Sequence, residues 1–150
     1  MTIYYGDLGM AMKKESAINR YQVAGQLEVL FGSRAAAYTL LYIESQGSGY
    51  ASQIAETFDM SLNGAQQQLR KFEAEGVLVG YTVGRTRVFE FNPRGVTVRN
   101  LRRFLASELE YLASESSGLP AEVYRQYFSP RQRPRRSGKP LTPVPERLMK

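Results

Sequence analysis

Residues 50–93 read YASQIAETFDMSLNGAQQQLRKFEAEGVLVGYTVGRTRVFEFNP, and their periodicities decide the fold. Ala51, Ile54, Ala55 and Phe58 recur at helical spacing, so residues 51–58 form a short amphipathic helix. Asp59-Met60 is a tight turn, and Ser61 is the N-cap of a second helix running to about residue 75. At 100° per residue Leu62, Ala65, Leu69 and Phe72 fall in a stripe about 80° wide, which marks the buried face. The opposite face carries Asn63, Gln67, Arg70 and Lys71, with Gln66 on its flank, and Gly76 ends the helix as its C′ residue. Residues 77–83 and 87–91 are then β-branched and aromatic runs separated by Gly84-Arg85-Thr86, a hairpin signal.

The flanks of this stretch are helical. Residues 26–31 read as the end of a helix stopped by Gly32. Ser33 then caps a helix to residue 46 whose Ala37, Leu40, Leu41 and Ile43 are too dense to be anything but buried. Gly47-Ser48-Gly49 breaks it. Downstream, Asn92-Pro93 reads as an N-cap followed by proline at the first helical position. The helix it opens, to about residue 114, aligns Val98, Leu101, Leu105, Leu109 and Leu112, flanked by Phe104 and Tyr111. The expected class is mainly α with a small β-hairpin, in the order helix, helix, helix, helix, hairpin, helix.

Composition limits the chemistry. The 150 residues contain no Cys and no His, which excludes disulfides, thiolate or imidazole metal sites, Cys nucleophiles and His bases. Only two Asp are present, Asp7 and Asp59, and no carboxylate cluster has calcium-loop spacing, so neither metal nor cofactor is expected. No constellation of Glu, Tyr, Lys or Ser suggests an enzyme. No apolar run approaches a membrane span and the first 20 residues lack a signal-peptide core, so a cytoplasmic protein without membrane contact is expected.

The net charge of +6 is unevenly spread. Residues 1–119 are neutral, whereas residues 120–150 hold 8 basic and 2 acidic residues and six of the seven prolines. The proline and arginine alternation of residues 130–136 lacks the apolar surface that would offset ordering entropy. Residues 129–150 are therefore expected to be disordered, with residues 121–128 at most a short docked helix. Within the neutral body, residues 61–103 carry 8 positive and 3 negative charges, the footprint a polyanion needs.

The succession Ser52-Gln53-Ile54-Ala55, Ser61, Ala65, Leu69, Phe72 and Gly76-Val77-Leu78-Val79, followed by a Gly-Arg hairpin tip, resembles the winged helix-turn-helix family of prokaryotic transcription regulators, most closely its ArsR-like branch. The resemblance covers roughly residues 33–93. It implies a winged helix-turn-helix DNA-binding domain over residues 1–118 with terminal dimerisation helices, and a basic tail over residues 119–150. It also implies that the helix from Ser61 enters the major groove of double-stranded DNA while the hairpin touches the backbone. Carried onto this chain, the groove positions are Leu62, Asn63, Gln66, Gln67 and Arg70, and the wing positions are Arg85, Thr86 and Arg87. The helical wheel agrees on Asn63, Gln67 and Arg70 but sets Leu62 near the core.

Base contacts are accordingly expected from Asn63, Gln66, Gln67 and Arg70, because amides pair with an adenine edge and Arg with guanine or phosphate. Backbone contacts are expected from Ser61, Lys71, Arg85, Thr86 and Arg87. Val98, Leu101, Leu105, Leu109 and Leu112 form a stripe that a small wing domain does not obviously cover, so a homodimer interface is expected there. Residues 10–30 are a second candidate surface. Glu108, inside the stripe, would pair with Arg102 or Arg103 of a partner or lie at the rim. Metal-sensing relatives use Cys or His ligands, so metal-responsive release is not expected. The arginines of the tail suit unspecific phosphate contact, with partner recognition or solubilisation as alternatives. The leading reading is a sequence-specific DNA-binding transcriptional regulator. The alternative is a winged-helix module that binds protein or RNA without operator specificity.

Overall fold

A helix that is apolar all round can only sit in the middle of a fold. Apart from Thr39, the run Ala36–Ile43 is such a helix. The computed structural model describes residues 17–130, and in it all eight of these side chains are buried. Seven α-helices are described: α1 (Ala17–Arg20), α2 (Gly25–Phe31), the central α3 (Arg34–Gln46), α4 (Ala51–Phe58), α5 (Leu62–Ala74), α6 (Val96–Ala113) and α7 (Ala121–Phe128). Between α5 and α6 an antiparallel hairpin pairs β1 (Leu78–Val83) with β2 (Thr86–Phe91), and a 3₁₀ turn (Glu115–Ser117) follows α6. The protein is thus mainly helical with one two-stranded hairpin. No helix among the described residues is long and apolar enough to cross a membrane.

Local signals set the helix boundaries. Ser33 Oγ accepts from Ala36 N–H at 3.0 Å and Ser61 Oγ from Gly64 N–H at 2.9 Å, each satisfying an amide that the helix itself leaves free. Asp59 closes α4 in the left-handed conformation, φ +54°, so that α5 starts in a new direction after only three residues. The hairpin turn is one residue shorter than the sequence suggests. Thr86 pairs with Val83, leaving Gly84-Arg85 as the loop. Of those two only Gly84 has a positive φ, +62°, the pattern of a type II′ turn that suits strand twist.

The glycine break after α3 also does more than end a helix. Gly49 exchanges both backbone hydrogen bonds with Phe89, at 2.9 and 2.8 Å, and so ties the entry of α4 to the hairpin. A side chain there would crowd Tyr42 at 3.2 Å and Ile54 at 3.3 Å, which explains why the backbones meet at a glycine.

Three expectations are corrected. α6 begins at Val96 behind Gly95, so Asn92-Pro93 is not its start. Instead Asn92 Nδ2 donates to the Gly76 carbonyl at 2.9 Å while its Oδ1 accepts from Arg94 N–H at 3.0 Å, which pins the hairpin exit to the end of α5. The apolar stripe of α6 is occupied within the chain. Val98, Leu105, Leu109 and Leu112 are buried against α3, α7 and the 3₁₀ turn, and Leu101 is half-buried, so these five side chains present little surface to a second copy. Finally the core does not stop at residue 118. Leu119, Tyr127 and Phe128 belong to it, and Phe58 lies at the centre of an aromatic cluster. Tyr38 stacks on that ring at 4.6 Å, Tyr127 lies at 5.7 Å and Phe128 at 6.1 Å. α7 is therefore an integral part of the fold. The basic segment of residues 131–150 and the residues before 17 lie outside the described part.

Candidate nucleic-acid interface

α5 is anchored by few side chains. Ala65 and Leu69 are fully buried, with Phe72 packed at their edge, and they hold the helix against α4, α3 and β1. A 13-residue helix held along so narrow a stripe leaves the rest of its circumference free. Asn63, Gln67, Arg70 and Lys71 are exposed and Gln66 is half-buried, as the wheel requires. Leu62 corrects the wheel: it is 49% exposed. As the first residue of the helix it projects beyond the neighbours that cover Ala65 one turn later.

Two rows divide this face. Leu62, Gln66 and Arg70, each four residues apart, line an open groove of about 630 Å³ between α5 and the hairpin. Asn63 and Gln67 lie on the outer side of that row. Across the groove stand Arg85, Thr86 and Arg87, and its end toward α4 is formed by Tyr50 and Ser52. Sequence reasoning did not select those last two. The Gly49–Phe89 bridge carries them to the groove, and a contact between residues 40 apart leaves no periodic trace.

The expected backbone contacts divide once partners are considered. Arg85 and Thr86 are exposed at the hairpin tip, and Arg85 has no ion-pair partner among the described residues. Arg87 is committed elsewhere: its guanidinium pairs with Glu73 of α5 and lies 5.6 Å from the Phe89 ring centre. A phosphate contact by Arg87 would therefore have to compete with Glu73. Ser61 oxygen is occupied by the Gly64 amide, which leaves its O–H available as a donor. The Lys71 ammonium lies 5.6 Å from the Phe72 ring centre with its charge in solvent.

On the opposite flank Arg102 does not wait for Glu108 of a partner. Its Nε donates to Glu44 Oε1 at 2.8 Å and its guanidinium lies 5.5 Å from the Phe91 ring centre, which ties α6 to α3 and to β2. That hydrogen bond, outweighing partial burial, pushes the Arg102 guanidinium above its ordinary range. Among the described residues no three His, Cys, Asp or Glu side chains are placed to hold a metal ion. The outward face of α5 offers amide donors and acceptors, one guanidinium, one ammonium and one leucine, beside a hairpin tip whose Arg85 is exposed. Neither a family model, nor a curated protein, nor a solved structure matches the chain.

Proposed function

We propose that this protein is a sequence-specific double-stranded DNA-binding regulator of the winged helix-turn-helix class, acting by occupancy and as a homodimer. In this reading α4, its three-residue turn and α5 are the helix-turn-helix, α5 is the groove-reading helix, and β1 and β2 form the wing. The observation that carries it is the amide-rich outward face of α5, which stands free beside Arg85 at the hairpin tip. Asn and Gln side chains bond an adenine edge through two groups at once, and an exposed Arg takes guanine or phosphate. Ser61 caps the helix and its narrow apolar stripe seats it on the core, the support such contacts need.

Selection of bound duplexes from a random pool tests the reading, followed by titration of Gln67→Ala and Arg70→Ala on selected and scrambled duplexes. Each substitution is expected to reduce discrimination by about 1–3 kcal/mol, with less change on scrambled DNA. Equal loss on both duplexes, or a pool that yields no common sequence, rejects it in favour of a protein- or RNA-binding module.

With the α6 stripe occupied, the homodimer is proposed through the end of the second candidate surface, residues 10–30, extended to Phe31 and Phe104 beside it. Val29 and Leu30 of α2 are 83% and 65% exposed, and Phe104 of α6 is exposed beside Phe31, their ring centres 6.3 Å apart. Exposed apolar side chains of this kind are what a two-fold interface buries.

A further inference from the structure

Leu62 is the one large apolar side chain on a helix face that otherwise carries amides and cations, and nearly half of it is in water. The fold does not need it there, because Ala65 and Leu69 already close the α5 contact with the core. Single exposed leucines are common. This one is set apart by its neighbours, since it lines the groove in one row with Gln66 and Arg70.

The edges of base pairs in the major groove offer hydrogen-bond donors, acceptors and one apolar group, the C5 methyl of thymine. A leucine can discriminate only through that methyl, and a glutamine four residues on is suited to adenine N6 and N7. Residues four apart are about 6 Å apart along a helix, and base pairs stack about 3.4 Å apart, so the two side chains reach bases within about two pairs of each other. We infer that Leu62 packs on a thymine methyl and Gln66 reads an adenine beside it, so that each half-site contains an A·T step at the N-terminal end of α5. This rests on the DNA-binding reading and specifies its ligand.

The test uses the full chain and the duplex selected from the random pool. Each thymine is replaced singly by uracil, which removes the methyl and keeps the pairing edge. One position per half-site is expected at which uracil weakens wild-type binding about fourfold, the effect of one buried methyl-sized group. The Leu62→Ala protein is expected to bind the thymine and uracil duplexes equally, and its circular dichroism to match wild type because the side chain is exposed. A selected half-site without A·T pairs, or a uracil effect that persists undiminished in Leu62→Ala, overturns the inference while leaving sequence-specific binding intact. A pool with no common sequence overturns both.

Discussion

Tyr38 stacks on Phe58 with its phenol inside the fold, and the O–H donates to Asn19 Oδ1 at 2.8 Å. Burial pushes this phenol from 10.0 up to about 12. A raised acid binds its proton more tightly in the folded chain, so its contribution to stability is complete below pH 10 and disappears as pH climbs from 10 through 12. Wild type should therefore lose about 2 kcal/mol more than Tyr38→Phe over that interval. At neutral pH the variant should be less stable by about 1 kcal/mol, the worth of one hydrogen bond. Urea unfolding at several pH values measures both, and parallel pH profiles for the two proteins would remove Tyr38 as the cause. Leu62 was not legible as an exposed residue. Its angular position belongs to the buried stripe, but a wheel has no axial coordinate and cannot show that a first residue overhangs its support.

The elements that short-range signals define were legible in the sequence, because a serine cap, a C′ glycine or a 3.6-residue period acts within a few residues. The orientation of the hairpin was not, since it depends on partners far apart in sequence: Gly49 with Phe89, Asn92 with Gly76, and Glu73 with Arg87. The last pair crosses above Gly80. A methyl group added there would lie 2.5 Å from Glu73 Oε2 and 2.9 Å from Arg87 Nη2, both ends of flexible side chains. Gly80→Ala should thus part the ion pair without altering a charge or the strand register, at a cost of about 1 kcal/mol or less. Released Arg87 can then neutralise a phosphate, which steepens the dependence of log affinity on log salt by about 0.9. Arg87→Ala should leave the slope near wild type because Glu73 already holds that guanidinium, whereas Arg85→Ala should lower it by about 0.9. Salt titrations on one duplex compare the three variants. A slope that falls as far for Arg87→Ala as for Arg85→Ala would show that the pair opens on binding.

At the level of the whole molecule, the α6 stripe was assigned to a partner because the chain offered no visible cover for it. The cover is α3 together with α7, the short docked helix expected over residues 121–128, whose part in the core was not legible because those eight residues adjoin a proline and arginine run that dominates local composition. Phe128, 1% exposed against Phe58 and Tyr127, should cost about 3–5 kcal/mol when cut to Ala. The midpoint of thermal unfolding, followed by circular dichroism, should drop with it, and an unchanged midpoint would return α7 to the tail.

With that stripe closed, the proposed two-fold assembly falls to Val29, Leu30 and Phe104, whose exposure is a standing cost in water that a second copy would remove. Leu30→Glu should separate the copies without disturbing the fold, because the side chain is 65% exposed. Sedimentation equilibrium should then show a dimer for wild type and a monomer for the variant. The variant should bind a duplex with two half-sites little better than one with a single half-site, because the linkage that makes the second contact intramolecular has gone. A monomeric wild type, or a dimer that tolerates Leu30→Glu, would move the interface away from α2 and α6.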